Sequence, residues 1–193
     1  MADRERLRAF VALRLDAAVE AAVSAFIDQL RATDYGIRWV RRSQLHVTLR
    51  FLGAAVPRAQ VARLDAALRD RLPAIPAFTL AVRGTGAFPN PRRPRILWIG
   101  LRSASLLALA TLVERAALDC GFTPADHPFA PHLTIGRLRA PQPPPGLAEL
   151  IAGSADREFG ACLVDSLVLY QSILGADSPT YRELARHPLS GRP

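Results

Sequence analysis

Two short segments of the sequence repeat one pattern of side chains. Residues 46–49 read His-Val-Thr-Leu and residues 132–135 read His-Leu-Thr-Ile, so a histidine and a threonine lie two apart in each. Side chains two apart on a strand share a face. We therefore predict two strands, each of which presents one titratable group and one hydroxyl on one face and aliphatic side chains on the other.

These residue types suit the in-line hydrolysis of a phosphodiester. A base must take a proton from the attacking water while an acid protonates the departing oxygen on the far side of phosphorus. Histidine titrates near neutral pH and serves in either role, and threonine hydroxyls donate hydrogen bonds to the non-bridging oxygens. His46 and His132 are the candidate catalytic residues, and Thr48 and Thr134 are candidates for substrate binding. The two copies are alike, so the pattern does not say which histidine is the acid.

A metal centre is a weaker interpretation of the same histidines. Zinc sites combine histidine with further histidine, cysteine or carboxylate ligands at short spacing, and neither segment has such a neighbour. Cys120 and Cys162 form no pair with metal-ligand spacing and no disulfide framework. We predict no metal and no cofactor. His127 and His187 adjoin prolines, and we interpret them as surface residues.

The charge of the chain permits a nucleic-acid partner without requiring one. All 25 basic residues are arginine, against 17 acidic residues, and the formal net charge is +8. Arginine binds phosphate through a planar fork, although codon usage alone explains a composition without lysine. The N-terminus is too charged for a signal peptide, and no window has the roughly 20 apolar residues of a membrane span. We expect a monomeric cytoplasmic protein that does not contact membranes.

Periodic apolar patterns predict a mixed chain. Helices are predicted from Asp16 to Ala32, from Pro57 to Leu72 and over 105–120, where Gly121 ends the helix. Strands are predicted at 7–15, 45–52, 78–83, 96–101, 132–137, within 162–174 and at 181–185. We predict loops at 84–94 and 141–146 and a hairpin turn at 175–179.

The second half of this layout resembles the first, with one histidine segment in each. We predict an α+β fold with two pseudo-symmetric lobes of antiparallel sheet, outer helices and a central cleft, and residues 1–193 as one bilobal domain. Such an arrangement brings both histidine segments to the cleft.

The segments around the histidines resemble a known family. They are similar to the two-histidine phosphoesterase superfamily, and most similar to its RNA 2′,3′-cyclic phosphodiesterases, first described as 2′-5′ RNA ligases. The resemblance covers nearly the whole chain. It rests on residues 45–53 (LHVTLRFLG), 86–89 (GAFP), 95–98 (RILW), 128–137 (PFAPHLTIGR), 169–172 (LYQS) and 181–184 (YREL). Ala54 stands where the branch often has an acidic residue.

The resemblance implies the hydrolysis of an RNA 2′,3′-cyclic phosphate to a 2′-phosphate, with His46 as proton donor and His132 as proton acceptor. It also implies reversible 2′-5′ ligation and phosphate binding by Arg137. An ideal strand would turn Arg137 away from His132, so we expect Gly136 to permit either a bulge or an early end of the strand. Arg50 is an even number of residues after His46 and would lie on the same face as His46 in an ideal strand, so it is a second candidate. A phosphodiesterase for 2′-5′ oligoadenylate or cyclic ADP-ribose phosphate, and a non-catalytic RNA-binding module, are the alternatives.

Other residues are weaker candidates for contacts with RNA. The arginines at 92, 93 and 95 either line the approach to the site or are simply solvated in their loop. Phe88, Trp98 and Tyr170 have rings that could stack on a base, although the apolar neighbours of Trp98 favour a position in the core.

Overall fold

The computed structural model describes residues 6–33, 35–138, 143–175 and 178–191. Within these ranges the chain forms nine strands and four α-helices. The strands are β1 (Arg6–Leu13), β2 (Ile37–Trp39), β3 (Val47–Pro57), β4 (Phe78–Phe88), β5 (Ile96–Arg102), β6 (His132–Leu138), β7 (Glu158–Val164), β8 (Ser166–Ile173) and β9 (Thr180–Pro188). The helices are α1 (Ala17–Arg31), α2 (Arg58–Arg71), α3 (Ala104–Asp119) and α4 (Leu147–Gly153).

The strands form two antiparallel sheets, which confirms the predicted α+β class. The first sheet has the order β3-β1-β8-β9, and the second has the order β2-β6-β5-β4-β7. The first sheet joins strands from both ends of the described chain, whereas the second is built from the middle. The two lobes are therefore interleaved along the sequence and are not its first and second halves.

Each sheet is covered by helices. In α1, the side chain of Asp16 accepts a hydrogen bond from the amide of Val19, the N-cap arrangement that the sequence predicts. Helices α2 and α3 pack on the first sheet, and α1 and α4 pack on the second. The apolar positions predicted for α1 and α2 are buried, which confirms the helical periodicity.

The core holds the two histidine segments in place. One connected cluster of buried apolar side chains includes residues of both sheets. It contains the four aliphatic residues that alternate with the histidines and threonines, and none of these is more than 7% exposed: Val47, Leu49, Leu133 and Ile135. Burial of each such side chain contributes roughly 1.5–3 kcal/mol. The polar side chains of both segments must then point the other way.

Several local predictions were wrong. The segment 84–88 is not a loop but the continuation of β4, because Trp98 packs over Gly86, where a Cβ would lie 2.2 Å from Trp98 Cζ2. Strand β7 begins at Glu158, before the run 162–174 in which late strands were predicted, and neither β2 nor α4 was expected. The loop predicted at 141–146 and the turn predicted at 175–179 lie partly outside the described residues. None of the described helices is long and apolar enough to span a bilayer.

Candidate active site

Two strands from different sheets bring the histidine segments together. His46 is the residue before β3, and His132 is the first residue of β6. Strands β3 and β6 contact each other where the two sheets meet, and the amide of Val40 donates to the carbonyl of Ile135 at 2.9 Å. Residues 86 positions apart in sequence (132 − 46) therefore share one cleft.

The two histidines are held by the same hydrogen bond. His46 Nδ1 lies 2.7 Å from the carbonyl oxygen of Gln44, and His132 Nδ1 lies 2.7 Å from that of Ala130. A carbonyl oxygen can only accept, so Nδ1 carries the proton in both rings. Each ring thus gains and loses its second proton at Nε2. Both rings are half-buried, and this bond fixes their orientation.

Three positive or titratable groups share the cleft. Burial is the main cause of the lowered pKa of His46, and the positive charges of Arg137 and His132 lower it further, whereas the bond to Gln44 raises it. The pKa of His132 is lowered mainly by burial and then by Arg137, against the bond to Ala130. Both histidines therefore favour the neutral form in the free protein. An anion between them would offset this repulsion.

An aromatic ring packs edge-on against each histidine. The ring centroid of Tyr181 lies 5.0 Å from that of His46, and Phe88 lies 5.0 Å from His132. Phe10 also contacts His46, at 4.9 Å between centroids. These rings limit the movement of the imidazoles. Sequence reasoning did not assign Phe10 or Tyr181 to the site, since their positions follow from the pairing of β1, β8 and β9.

Each histidine strand has a bulge directly after its threonine. In β3, Thr48 and Arg50 pair with adjacent residues of β1, which leaves Leu49 as the extra residue. In β6, Thr134 and Gly136 pair with adjacent residues of β5, which leaves Ile135 as the extra residue. A bulge reverses the alternation of side chains beyond it. The fifth residue after each histidine then returns to the face of that histidine.

The bulge in β6 places Arg137 on the cleft face. Arg137 is exposed next to two buried residues, and its charge acts on both histidines. Its guanidinium makes no hydrogen bond or ion pair with any residue in the described ranges. An unneutralised guanidinium beside two histidines is available for an anionic group. Of the two outcomes expected at Gly136, the structure shows the bulge and not an early end, since β6 continues to Leu138.

The bulge in β3 turns Arg50 away from the cleft, so the prediction that Arg50 shares a face with His46 was wrong. Its side chain is only 9% exposed and points away from the cleft, where Arg50 Nε lies 2.6 Å from Glu114 Oε2 of α3. The guanidinium also donates to the carbonyl oxygens of Phe51 and Thr123. Arg50 therefore ties β3 to the outer helix and takes no part in the cleft.

The remaining residues discussed from the sequence lie in the cleft, in the interior or at the surface. Thr48 and Thr134 are half-buried, with hydroxyls that bond to none of the described residues. Trp98 is also half-buried and contacts Phe88 at 5.4 Å between centroids. His187 is not a surface residue, since it is 3% exposed and its Nε2 lies 3.0 Å from Asp65 Oδ1. The side chains of His127 and of the three arginines at 92, 93 and 95 are exposed.

A pocket of about 290 Å³ opens beside His46. Its walls include Tyr170 and Tyr181, and its polar lining includes Arg14, Ser43 and two glutamates. The glutamates are neutralised by arginine neighbours: Glu20 by Arg42 at 3.7 Å and Glu183 by Arg186 at 2.6 Å. This volume lies at the lower limit of the roughly 300–1,000 Å³ of pockets that hold a small ligand.

Among the residues that the structure describes, no group of three or more His, Cys, Asp or Glu side chains could hold a metal ion.

Comparisons with known proteins agree with this geometry. Residues 19–175 match the model of the 2′-5′ RNA ligase superfamily. The chain is 33% identical over 180 residues to an RNA 2′,3′-cyclic phosphodiesterase of Methanothermobacter thermautotrophicus, covering 93% of this chain and 97% of that protein. The crystal structure of TT0787 of Thermus thermophilus superposes with a TM-score of 0.83 at 28% identity, covering 96% and 99% of the two chains. E. coli LigT complexed with 3′-AMP gives a TM-score of 0.75 at 27% identity, covering 97% and 100%.

Proposed function

The chain belongs to the 2′-5′ RNA ligase superfamily, and from that premise we propose that it hydrolyses RNA 2′,3′-cyclic phosphate ends to 2′-phosphates with His46 and His132 as acid and base. The relative at 33% identity bears the name of this activity. The observation that carries the proposal is the matched pair of imidazoles, each with Nδ1 bound to a carbonyl and Nε2 left to exchange a proton. Two such groups in one cleft are what a cyclic phosphodiester requires.

During the reaction His132 gains one proton and His46 loses one. Nε2 of His132 takes a proton from water as the water oxygen bonds to phosphorus. The bond from phosphorus to the 3′ oxygen breaks, and Nε2 of His46 gives its proton to that oxygen. The product carries a 2′-phosphate and a free 3′-hydroxyl. The same steps with a 5′-hydroxyl in place of water would join two RNA ends through a 2′-5′ bond, and the reverse of those steps would cleave that bond.

The non-bridging oxygens need positive partners in the transition state. We assign this role to the hydroxyls of Thr48 and Thr134 and to the guanidinium of Arg137, because all three lie on the cleft face. Donors already aimed at the developing charge act strongly in a site that excludes water. The anion would also raise the pKa of both histidines, which favours the protonated form of the acid.

The pocket beside His46 supports the assignment of His46 as the acid. The leaving 3′ oxygen belongs to the ribose, so the acid must lie on the side of the nucleoside. The pocket adjoins His46, and its tyrosines and balanced charges suit a base and a ribose better than a second phosphate. Water then approaches from the side of His132. The residues named come from one chain, so a monomer would contain a complete site.

We also propose that no metal takes part, because the two histidines supply both proton transfers and Arg137 supplies the charge. The test is incubation of the protein with each 2′,3′-cyclic mononucleotide in excess EDTA, with products separated by chromatography. A 2′-phosphate formed at the same rate with and without EDTA is expected. A 3′-phosphate would mean that the 2′ oxygen leaves, and no product from any nucleotide would refute the proposed activity.

A further inference from the structure

An exposed aromatic side chain occupies the counterpart of the Arg137 position. Phe51 is the fifth residue after His46, as Arg137 is the fifth after His132, and a bulge turns each back toward the cleft face. The neighbours of Phe51 in the chain, Arg50 and Leu52, are buried on the opposite side. Phe51 is 41% exposed, which is unusual for a phenylalanine in the middle of a strand.

An arginine is stacked on this ring. The guanidinium carbon of Arg8, on the adjacent strand β1, lies 4.6 Å from the ring centroid of Phe51. Arg8 has no ion pair within the described parts of the chain, so its charge is not neutralised. The stacking orders the guanidinium before any ligand binds, which lowers the entropic cost of binding.

Arg8 lies near the catalytic histidines but beyond their immediate surroundings. Its charge and that of Arg137 both lower the pKa of Tyr181, which burial raises overall. The charges that act on His46 are those of Arg137 and His132. Along β1, Arg8 is two residues from Phe10, the ring that contacts His46, which is a step of about 7 Å. This is the scale of one nucleotide.

The Arg14 side of the pocket and the Arg8–Phe51 pair lie at opposite ends of β1. Arg14, which lines the pocket, follows the end of β1, whereas Arg8 is near its beginning. In a nucleotide the base and the 5′ oxygen diverge from the ribose. A ribose at His46 with its base in the pocket therefore directs its 5′ oxygen toward Arg8.

We propose that Arg8 and Phe51 form a subsite for the nucleotide that precedes the cyclic end, with Arg8 bound to the connecting phosphodiester and Phe51 stacked on the preceding base. The inference rests on the proposed function, since it places the cyclic phosphate between the histidines. Arginine recognises phosphate as a charged fork, and stacking of a base on an aromatic ring tolerates any base. The subsite would make the protein prefer RNA ends to mononucleotides without reading their sequence.

The test compares a 2′,3′-cyclic mononucleotide with the dinucleotide that has one more residue on its 5′ side. We expect kcat/KM of the wild type to be about tenfold higher on the dinucleotide, as for one charged hydrogen bond or one stacked base. Arg8→Gln and Phe51→Leu should remove most of that advantage and leave turnover of the mononucleotide within about twofold. Arg115→Gln, which removes an exposed arginine from α3, is the matched control and should leave kcat/KM unchanged on both substrates.

A second substrate identifies the group that Arg8 binds. In a dinucleotide with a neutral methylphosphonate linkage, Arg8→Gln should have no further effect, because the charge it recognises is already absent. Equal losses on the mononucleotide and the dinucleotide would overturn the subsite and indicate a structural role, and so would equal rates on the two substrates in the wild type. A wild type inactive on both substrates would refute the proposed function itself, and the subsite with it.

Discussion

The two arginines that follow the histidine segments should respond in opposite ways to the same substitution. In Arg50→Lys, an ammonium group can keep the ion pair with Glu114 but cannot also reach the carbonyls of Phe51 and Thr123. Loss of one or two buried charged hydrogen bonds costs about 2–4 kcal/mol. For a chain of 193 residues this lowers Tm by roughly 5–12 °C. The folded protein should keep near-normal kcat/KM.

Arg137→Lys should give the reverse result. Arg137 is exposed and has no partner in the described ranges, so its replacement should change the free energy of unfolding by less than about 0.5 kcal/mol. Loss of the fork that binds two phosphate oxygens should lower kcat/KM by about tenfold or more. Thermal unfolding and steady-state rates on a cyclic mononucleotide measure both effects. A stable but inactive Arg50→Lys together with an active Arg137→Lys would refute the assignment made from the two bulges.

Three further predictions follow from the site. Burial lowers the pKa of both histidines and one of the two must be protonated, so kcat/KM should peak below about pH 6.5. The profile of kcat, measured with the anion bound, should peak at higher pH because the anion raises both pKa values. Coincident optima would contradict this. Gly136→Val should lower kcat/KM, and it should lower the free energy of unfolding by about 1–3 kcal/mol. The reason is that its Cβ would lie 2.7 Å from Ile37 Cγ2 and would disturb the bulge that orients Arg137. An unchanged rate would show that the bulge is dispensable. Rates should survive dialysis against EDTA, and recovery that depends on an added divalent ion would show that a metal takes part.

The strands that carry the histidines could be predicted because their alternation is strong and local. His46 and His132 are each followed by buried aliphatic residues at the expected spacing. The bulge in β6 was also predictable, since Gly136 offered a sequence signal. The bulge in β3 falls at Leu49, which carries no such signal, and it reverses the side on which Arg50 lies. One extra residue in a strand thus decided which arginine faces the cleft.

Features that depend on contacts distant in sequence could not be read from local patterns. The glycines at 84–86 were interpreted as breakers because nothing in the sequence indicated that Trp98 would pack over Gly86. The pairing of β1 with β8 joins segments about 160 residues apart and interleaves the lobes. Strand β2 has three residues and α4 has seven, too few for a periodic pattern to be distinguished.

The central claim is that His46 protonates the leaving oxygen while His132 activates water, and a change of leaving atom tests it directly. On an ordinary cyclic nucleotide, His46→Ala and His132→Ala should each lower kcat by roughly 10²–10⁴-fold. A substrate with sulfur in place of the 3′ oxygen releases a thiolate that needs no proton. His46→Ala should then recover most of its lost rate, whereas His132→Ala should remain slow. Recovery by His132→Ala instead would reverse the two roles, and recovery by neither variant would contradict acid catalysis at the 3′ oxygen.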